Sequence, residues 1–230
     1  MVVGGGCYGT FYARQLLLAR ARGAARWESL LVVDRDPGCR AASALAGEAG
    51  VRVVTADWAD FLDGFLADAV ADDAIVPSPL MPHLMVGWLQ RRAAARWPGR
   101  AVGFAPLDVA SGLPYDAEAP DGTRYLSFAD WTCPIHCIEP LTCPRTRAPR
   151  TWEMGEALAA LSARLGRSRR VAGPALFTCR HRTHGVGTFG ADEALVAEAL
   201  VASAGAAGPA EVLVGTVSAC HGAATLLRLG

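Results

Sequence analysis

Most of the side chains that could bind a metal lie in the second half of the chain. The run Cys133-Pro-Ile-His136-Cys137 is followed by Cys143, which places three cysteines and a histidine within 11 residues. Thiolates beside an imidazole are typical ligands of zinc and of iron–sulfur clusters. The spacing matches neither a ferredoxin run nor a zinc motif with two residues between its cysteines. The pattern therefore predicts a metal site without identifying the metal.

A second group, from Cys179 to His184, supplies the remaining ligands in this hypothesis. It follows a predicted strand at residues 171–177. An iron–sulfur cluster would use the four thiolates of Cys133, Cys137, Cys143 and Cys179. In a zinc site, a thiolate would be replaced by one of three histidines, His136, His181 or His184. Two other interpretations stay open: free, partly buried cysteines, or a pair that forms a disulfide on oxidation.

A glycine-rich turn lies near the N-terminus, between a short apolar run and a helix-like segment. Its pattern is Gly4-x-Gly6-x-x-Gly9. Between a strand and a helix, such glycines permit a tight turn, close approach to a pyrophosphate and close packing of the helix on the strand. The N–H groups at the start of the helix would then face the phosphates. Cys7, inside the turn, would lie near the bound pyrophosphate, and packing as a small apolar residue is the other interpretation of this cysteine.

An acidic residue follows the next predicted strand, Leu30–Val33. This residue is Asp34, which lies 25 residues after Gly9. In dinucleotide-binding domains an acid at this place accepts hydrogen bonds from the adenine ribose. A carboxylate repels a 2′-phosphate, so Asp34 favours NAD, while Arg35 leaves NADP open. A glycine turn in an α/β core without a ligand is the alternative interpretation.

The run GGGCYG, followed by LLVVDRDP and VRVVTADWADF, resembles the Rossmann domain of the TrkA-N and saccharopine-dehydrogenase kind. The resemblance covers about residues 1–105 and does not extend to the cysteine-rich half. It implies that Asp34 holds the ribose. It also implies that Ala56 and Asp57, after the third strand, lie near the adenine.

Strand-like apolar runs alternate with helix-like stretches through the first half, at Leu30–Val33, Val51–Thr55, Ala74–Val76 and Ala101–Phe104. This alternation predicts a parallel sheet covered by helices on both faces. The expected fold class is α/β, with a Rossmann-like doubly wound parallel sheet, a cysteine-rich loop and a C-terminal α/β extension.

Three segments are expected along the chain. They are a dinucleotide-binding domain at 1–112, a loop with the cysteine cluster at 113–150 and an α/β portion at 151–230. The α/β portion ends in a predicted strand at 211–217 and a short terminal helix.

Two further residues are candidates for catalysis. Cys220 lies in Ser218-Ala-Cys220-His221-Gly222, which is predicted to connect a strand to a helix. A turn of this composition resembles a nucleophile elbow, where the helix N-terminus lowers the thiol pKa. An additional metal ligand and a buried small residue are the other interpretations of Cys220. His83 follows the fourth predicted strand, where open α/β sheets bind ligands, so it is a candidate general acid–base. Capping of the helix that follows is the other interpretation of His83.

Composition limits the remaining chemistry. All 22 basic side chains are arginine, and the lack of lysine excludes a Schiff base, a lysine base and a P-loop lysine. The formal net charge of zero argues against a nucleic-acid partner. The stretch from Arg145 to Arg182 contains nine arginines and only two acidic residues. This block of positive charge would attract an anionic ligand. A solvated surface is the alternative interpretation of the block.

The predicted function is that of an NAD(P)-binding redox protein or oxidoreductase with an iron–sulfur or zinc site. The nicotinamide would exchange hydride with a small-molecule substrate near His83, or a redox protein would be the partner. A non-catalytic nucleotide sensor of the TrkA-N kind and an enzyme with Cys220 as nucleophile are the alternatives. No signal peptide and no apolar run of about 18 residues is found, so we expect a cytoplasmic protein without membrane contact.

Overall fold

A computed structural model describes residues 1–133, 137–183 and 185–230, without the side chains of Arg182 and Thr183. Two of the histidines proposed for zinc, His136 and His184, lie outside the described residues.

Six helices form within these residues, and none of them is long and apolar enough to span a membrane. In chain order they are α1 (Cys7–Ala21), α2 (Arg40–Ala44), α3 (Trp58–Asp68), α4 (Leu84–Arg96), α5 (Met154–Leu165) and α6 (Ala191–Ala206).

Twelve strands form in the same described residues, so the expectation of a mixed α/β protein is confirmed. They are β1 (Val2–Val3), β2 (Leu30–Asp34), β3 (Val51–Thr55), β4 (Ala74–Ile75), β5 (Val102–Ala105), β6 (Tyr115–Glu118), β7 (Arg124–Ser127), β8 (Val171–Thr178), β9 (Arg180–Thr183), β10 (Val186–Gly190), β11 (Ala210–Val217) and β12 (His221–Leu229).

The chain divides into two compact units. The N-terminal unit comprises Met1–Leu84 and Cys179–Asp192, and the C-terminal unit comprises Met85–Thr178 and Glu193–Gly230. These limits differ from the three segments expected from the sequence. They differ because β9 and β10 return to the first unit, where β10 pairs with β4.

The N-terminal unit is built on the parallel sheet β1–β2–β3, which confirms the parallel pairing expected there. A parallel bridge from Val2 to Val76 continues the pairing beyond β1, and β10 and β9 follow β4 in antiparallel order. Helix α1 packs against β1 and β2. Its buried residues Gly9, Ala13 and Leu16 recur at helical spacing and form the face toward the sheet.

The C-terminal unit is built on a six-stranded mixed sheet with the order β6-β7-β12-β11-β8, and β5 pairs with the far end of β12. Within it, β8 and β11 are parallel and the other pairs are antiparallel. Helix α5 packs on β8 and β11. It buries Met154, Leu158, Leu161 and Leu165 in the core at one-turn spacing.

Two expectations for this unit are wrong. The run Ala101–Phe104 was expected in the parallel sheet, but β5 pairs with β12 in antiparallel register. The predicted terminal helix is the strand β12, which pairs with β11 along its whole length. Most of β12 is buried, and a continuous apolar run of this length has no periodicity that separates a buried strand from a helix.

An ion pair joins the neighbouring strands β6 and β7. Arg124 Nε donates to Asp116 Oδ1 at 2.8 Å, and both side chains are 14% exposed. Asp116 Oδ2 also accepts from the N–H and the hydroxyl of Ser111, at 2.8 and 2.7 Å. Burial raises the pKa of Asp116, but the hydrogen bonds from Ser111 and Arg124 outweigh it and hold the pKa below its ordinary value.

We expect Asp116→Asn to lower the free energy of unfolding by about 2 kcal/mol at neutral pH, since a charged acceptor is lost. Because the folded-state pKa is depressed, this contribution is complete above about pH 4 and is lost as the pH falls through the folded-state pKa. Urea unfolding at pH 7 and at pH 3 measures the difference. The exposed Asp130→Asn is the control, and equal losses in both variants at pH 7 would contradict the assignment.

Candidate functional site

Backbone conformation explains the first glycine of the turn, and close packing explains the last. Gly4 has a φ of +87°, which favours glycine, and its N–H donates to the carbonyl of Val33 at 2.8 Å. A Cβ on Gly9 would lie 1.7 Å from the carbonyl oxygen of Gly4. Any larger residue at position 9 would therefore push α1 away from β1.

The middle glycine is different. A Cβ on Gly6 would meet no atom within 4 Å, and the φ of Gly6, −71°, suits any residue. Gly6, Cys7 and Tyr8 are exposed, and no side chain caps the start of α1. The first N–H groups of this helix therefore lie at an open surface, where an anion would be stabilised.

Asp34 is tied to the same turn. Its Oδ2 accepts from the N–H of Gly5 at 2.6 Å, and its Oδ1 accepts from the N–H of Asp36 at 2.9 Å. The side chain is half-buried at the carboxyl end of β2. The predicted ribose ligand and the glycine turn thus lie together.

An aromatic residue that the sequence reasoning missed lies next to this turn. The ring of Trp58 is 3.7 Å from the place that a Cβ on Gly4 would take. The guanidinium of Arg35 lies over the same ring at 5.3 Å. Asp57, predicted near adenine, accepts from the N–H of Ala59 at 2.8 Å and caps α3. The sequence signal that could have identified Trp58 is its place as an aromatic residue directly after Asp57.

Three other predicted residues also belong to the N-terminal unit. His83 is buried, at 9% exposure, in the turn before α4. Cys179 precedes β9, and His181 on β9 has its Nδ1 3.0 Å from the carbonyl oxygen of Gly185. Burial raises the pKa of Tyr12, and Tyr8 and Cys179 add to this rise, so Cys179 lies near α1.

Cys143 lies in a tight loop of the C-terminal unit. The loop is closed by hydrogen bonds from Arg150 N to Leu141 O at 2.7 Å and from Cys143 N to Ala148 O at 2.9 Å. The N–H and the hydroxyl of Thr146, together with the N–H of Arg145, lower the pKa of the Cys143 thiol.

Glu139 connects the cysteine segment to the turn between β11 and β12. Its N–H donates to Cys137 Sγ at 3.4 Å. Its carboxylate accepts from Ser218 Oγ at 2.6 Å, from Ala219 N at 2.8 Å and from Cys220 N at 3.3 Å. One side chain therefore holds Cys137 beside the turn that carries Cys220.

Cys220 does not lie at a nucleophile elbow. The turn joins two antiparallel strands, β11 and β12, so the helix expected after it is wrong. Trp152 Nε1 donates to Cys220 Sγ at 3.2 Å. Burial, with the nearby Glu139, raises the Cys220 pKa to about 11 against the effect of the Trp152 hydrogen bond.

Cys133 is the third predicted cysteine of the segment that contains Cys137 and Cys143. Burial raises its pKa, and the nearby Cys137, Cys143 and Glu139 add to the rise. Within the described residues, no three His, Cys, Asp or Glu side chains are grouped closely enough to hold a single metal ion. The three predicted cysteines of this segment are neighbours, but they do not form a compact mononuclear site.

Part of the arginine block has structural partners. Arg164 donates to the carbonyls of Ala110 and Ser111, and Arg169 pairs with Asp108. Arg170 donates to the carbonyl of Ala204 in the last turn of α6 and to two carbonyls of the segment that connects α6 to β11. Two other arginines of the block, Arg145 and Arg147, are exposed and lie in the loop of Cys143, next to the cysteines.

Fold and site together define an α/β protein with a glycine turn in one unit and a group of cysteines in the other. Residues 85–230 match the family described as "Uncharacterized protein, C-terminal domain", which is more than half of the chain, and the chain belongs to this family. The matched range begins at Met85, where the C-terminal unit begins. No curated protein and no solved structure matches the chain.

We expect Glu139→Gln to lower the free energy of unfolding by about 2 kcal/mol, because its donors lose a charged acceptor. The control is Glu156→Gln, at an exposed position on α5, which should change stability by less than about 0.5 kcal/mol. Urea unfolding of the purified protein measures both. Equal stabilities of the two variants would show that Glu139 does not anchor the cysteine segment.

Proposed function

We propose that the chain is an NAD(P)-binding redox protein. The N-terminal unit would be a Rossmann-like dinucleotide-binding domain of the kind found in TrkA-N proteins, as the sequence resemblance implies. The C-terminal unit would hold a thiolate-bound metal or iron–sulfur centre at Cys133, Cys137 and Cys143.

The open space at Gly6 is the observation that carries the nucleotide half of the proposal. A positive φ explains glycine at position 4 and packing explains it at position 9, but neither packing nor φ requires it at position 6. A ligand that must approach the backbone closely would require it. A pyrophosphate on the N-terminus of α1 is such a ligand.

The surroundings of the turn favour an adenine dinucleotide over a simple phosphate. Asp34 lies within hydrogen-bonding distance of the turn and supplies a carboxylate for ribose hydroxyls. Trp58 supplies an aromatic face beside Gly4 on which a base would stack. The carboxylate of Asp34 favours NAD, and stacking on Trp58 gives Arg35 a role that does not involve a 2′-phosphate.

The donors around the sulfurs support the redox half. The N–H of Glu139 points at the sulfur of Cys137, and the indole N–H of Trp152 points at the sulfur of Cys220. Thr146 and Arg145 lower the pKa of Cys143. Hydrogen bonds to ligand sulfurs stabilise thiolates and set the potential of a bound cluster.

A non-catalytic nucleotide sensor is the second candidate, and the burial of His83 favours it. An acid–base group that serves a bound substrate must reach it, and His83 is only 9% exposed. Incubation of NADH with the protein and an artificial electron acceptor separates the two candidates. Nucleotide oxidation above the rate without protein supports the redox protein, whereas binding without turnover supports the sensor.

We expect Gly6→Val to fold normally and to weaken NAD binding about a hundredfold, which is about 2.7 kcal/mol, because the side chain fills the space for the pyrophosphate. Isothermal titration calorimetry measures binding, and circular dichroism measures folding. Gly64→Val is the matched control, since a Cβ there also meets no atom within 4 Å. The nucleotide proposal fails if the wild type binds no adenine dinucleotide, or if Gly6→Val binds as tightly as Gly64→Val.

We expect Asp34→Asn to keep the hydrogen bond to Gly5 N while losing the repulsion of a 2′-phosphate. The ratio of NAD affinity to NADP affinity should fall about tenfold or more, which calorimetry with both nucleotides measures. Arg35→Gln is the control, and we expect little change in that ratio. A larger effect of Arg35→Gln than of Asp34→Asn would assign NADP as the ligand instead.

A further inference from the structure

The segment between β7 and α5 contains two residues in an uncommon backbone conformation. Among the described residues, Glu139 and Arg147 are the two that combine a side chain with a positive φ, of +52° and +59°. This conformation is costly for a residue with a Cβ, and such residues cluster where a ligand or partner is bound. The carboxylate of Glu139 is bound to the turn between β11 and β12, whereas the side chain of Arg147 is exposed.

Arg147 lies near the tip of a closed loop, residues 141–150, here named the arginine loop. At the base of the loop, Arg150 N donates to Leu141 O at 2.7 Å. Closer to the tip, Cys143 N donates to Ala148 O at 2.9 Å, and Arg147 N donates to Cys143 O at 2.8 Å. Two prolines in the loop restrict its backbone further. The arginine loop is therefore held in one shape by its own hydrogen bonds.

Two arginines of this loop carry charges that no carboxylate neutralises. Arg145 and Arg147 are exposed, and neither forms an ion pair within the part of the chain that the structure describes. Residues 137–153 contain two acids, and both have other partners. Glu139 is bound to the turn between β11 and β12, and Glu153 pairs with Arg150.

Exposed aliphatic side chains lie at the base of the arginine loop. Leu141, its first residue, is 79% exposed, and Ile138, three residues earlier, is 54% exposed. Protein interfaces combine apolar side chains at their centre with arginine, which is enriched there relative to the rest of the surface. Aliphatic side chains beside two unpaired arginines therefore have the composition of a protein interface.

The number of unpaired charges selects the kind of partner. Membranes with anionic lipids attract segments with about four to eight basic residues, and nucleic acids are bound by extended basic faces. Two arginines fall short of both, and exposed leucine and isoleucine have no counterpart on a phosphate backbone. Carboxylates next to an apolar side chain on a protein surface would match both the charge and the aliphatic groups.

We propose that the arginine loop, together with Ile138, is a docking surface for an acidic protein partner. Carboxylates of the partner would pair with Arg145 and Arg147, and an apolar side chain of the partner would cover Leu141. Because the loop is already closed, little conformational freedom would be lost on docking, which strengthens a contact of small area.

The test uses the full chain and a fluorescein-labelled peptide of glutamates with two leucines at its centre. Fluorescence anisotropy at low ionic strength should detect binding, and added salt should weaken it, because exposed charges are screened. The same peptide with glutamine in place of glutamate should bind at least about tenfold more weakly.

We expect the double variant Arg145→Gln/Arg147→Gln to bind the acidic peptide about tenfold more weakly, since two exposed ion pairs are lost. Arg22→Gln/Arg26→Gln is the matched control, because it removes two exposed arginines of the N-terminal unit. This control should bind within about twofold of the wild type. Equal losses in the two double variants would show attraction to net charge alone and would overturn the proposal.

The aliphatic part of the surface has its own test. Leu141→Gln should weaken binding of the acidic peptide about threefold or more, because the leucines of the peptide lose an apolar contact. Leu80→Gln is the control, since Leu80 is 76% exposed and lies in the other unit. Binding by Leu141→Gln that equals binding by Leu80→Gln would exclude Leu141 from the surface.

Arg147→Gly separates a binding role of Arg147 from a structural one. Glycine adopts a positive φ without cost, so this variant should unfold at the same urea concentration as the wild type or at a higher one. It should still bind the acidic peptide more weakly, since a charge is lost. Unfolding at a markedly lower urea concentration would show that Arg147 is kept for the structure of the loop, against the proposal.

Three other results would also overturn the proposal. The first is a wild type that does not bind the acidic peptide. The others are tighter binding of a single-stranded oligonucleotide or of vesicles with phosphatidylserine, which would assign the loop to a nucleic acid or to a membrane. This surface requires neither a nucleotide nor a metal, so its test is separate from those of the proposed function.

Discussion

The carboxylate of Glu139 is the contact on which the arrangement of the C-terminal unit's chemistry depends. The described residues between β7 and α5 form no helix and no strand of a sheet, so contacts with the sheet hold them in place. Glu139 supplies them through three donors of the β11–β12 turn. Because hydrogen bonds to a charged acceptor are stronger and more directional than neutral ones, this single side chain can set where Cys137 lies.

The turn is itself positioned by the core. Phe128 N donates to the carbonyl of Cys220 and Met154 N donates to the carbonyl of Ala219, both at 3.0 Å. Met154 is fully buried as the first residue of α5, so the turn is hydrogen-bonded to a residue of the core. Contact with a well-packed core fixes the position of Cys220.

Local features could be predicted from the sequence, and distant pairings could not. The glycine turn, β2 with Asp34 and the parallel pairing of β1–β3 follow from short-range spacing and apolar runs. The place of Cys220 follows from the antiparallel register of β11 with β12, which brings it to a segment about 80 residues earlier in the chain. No spacing rule links Cys137 to Cys220, so the sequence predicted no contact between their two segments. Trp58 was missed because only the folded turn places its ring beside Gly4.

The two candidate sites, the glycine turn and the group of cysteines, also lie in different parts of the chain. The family match covers residues 85–230, which include all five cysteines of the second half, while the glycine turn and Asp34 lie outside it. The segment from β9 to β10 is inside the matched range although it packs with the N-terminal unit. Cys179 and His181 therefore lie within the family's range, but in a different unit from Cys133, Cys137, Cys143 and Cys220.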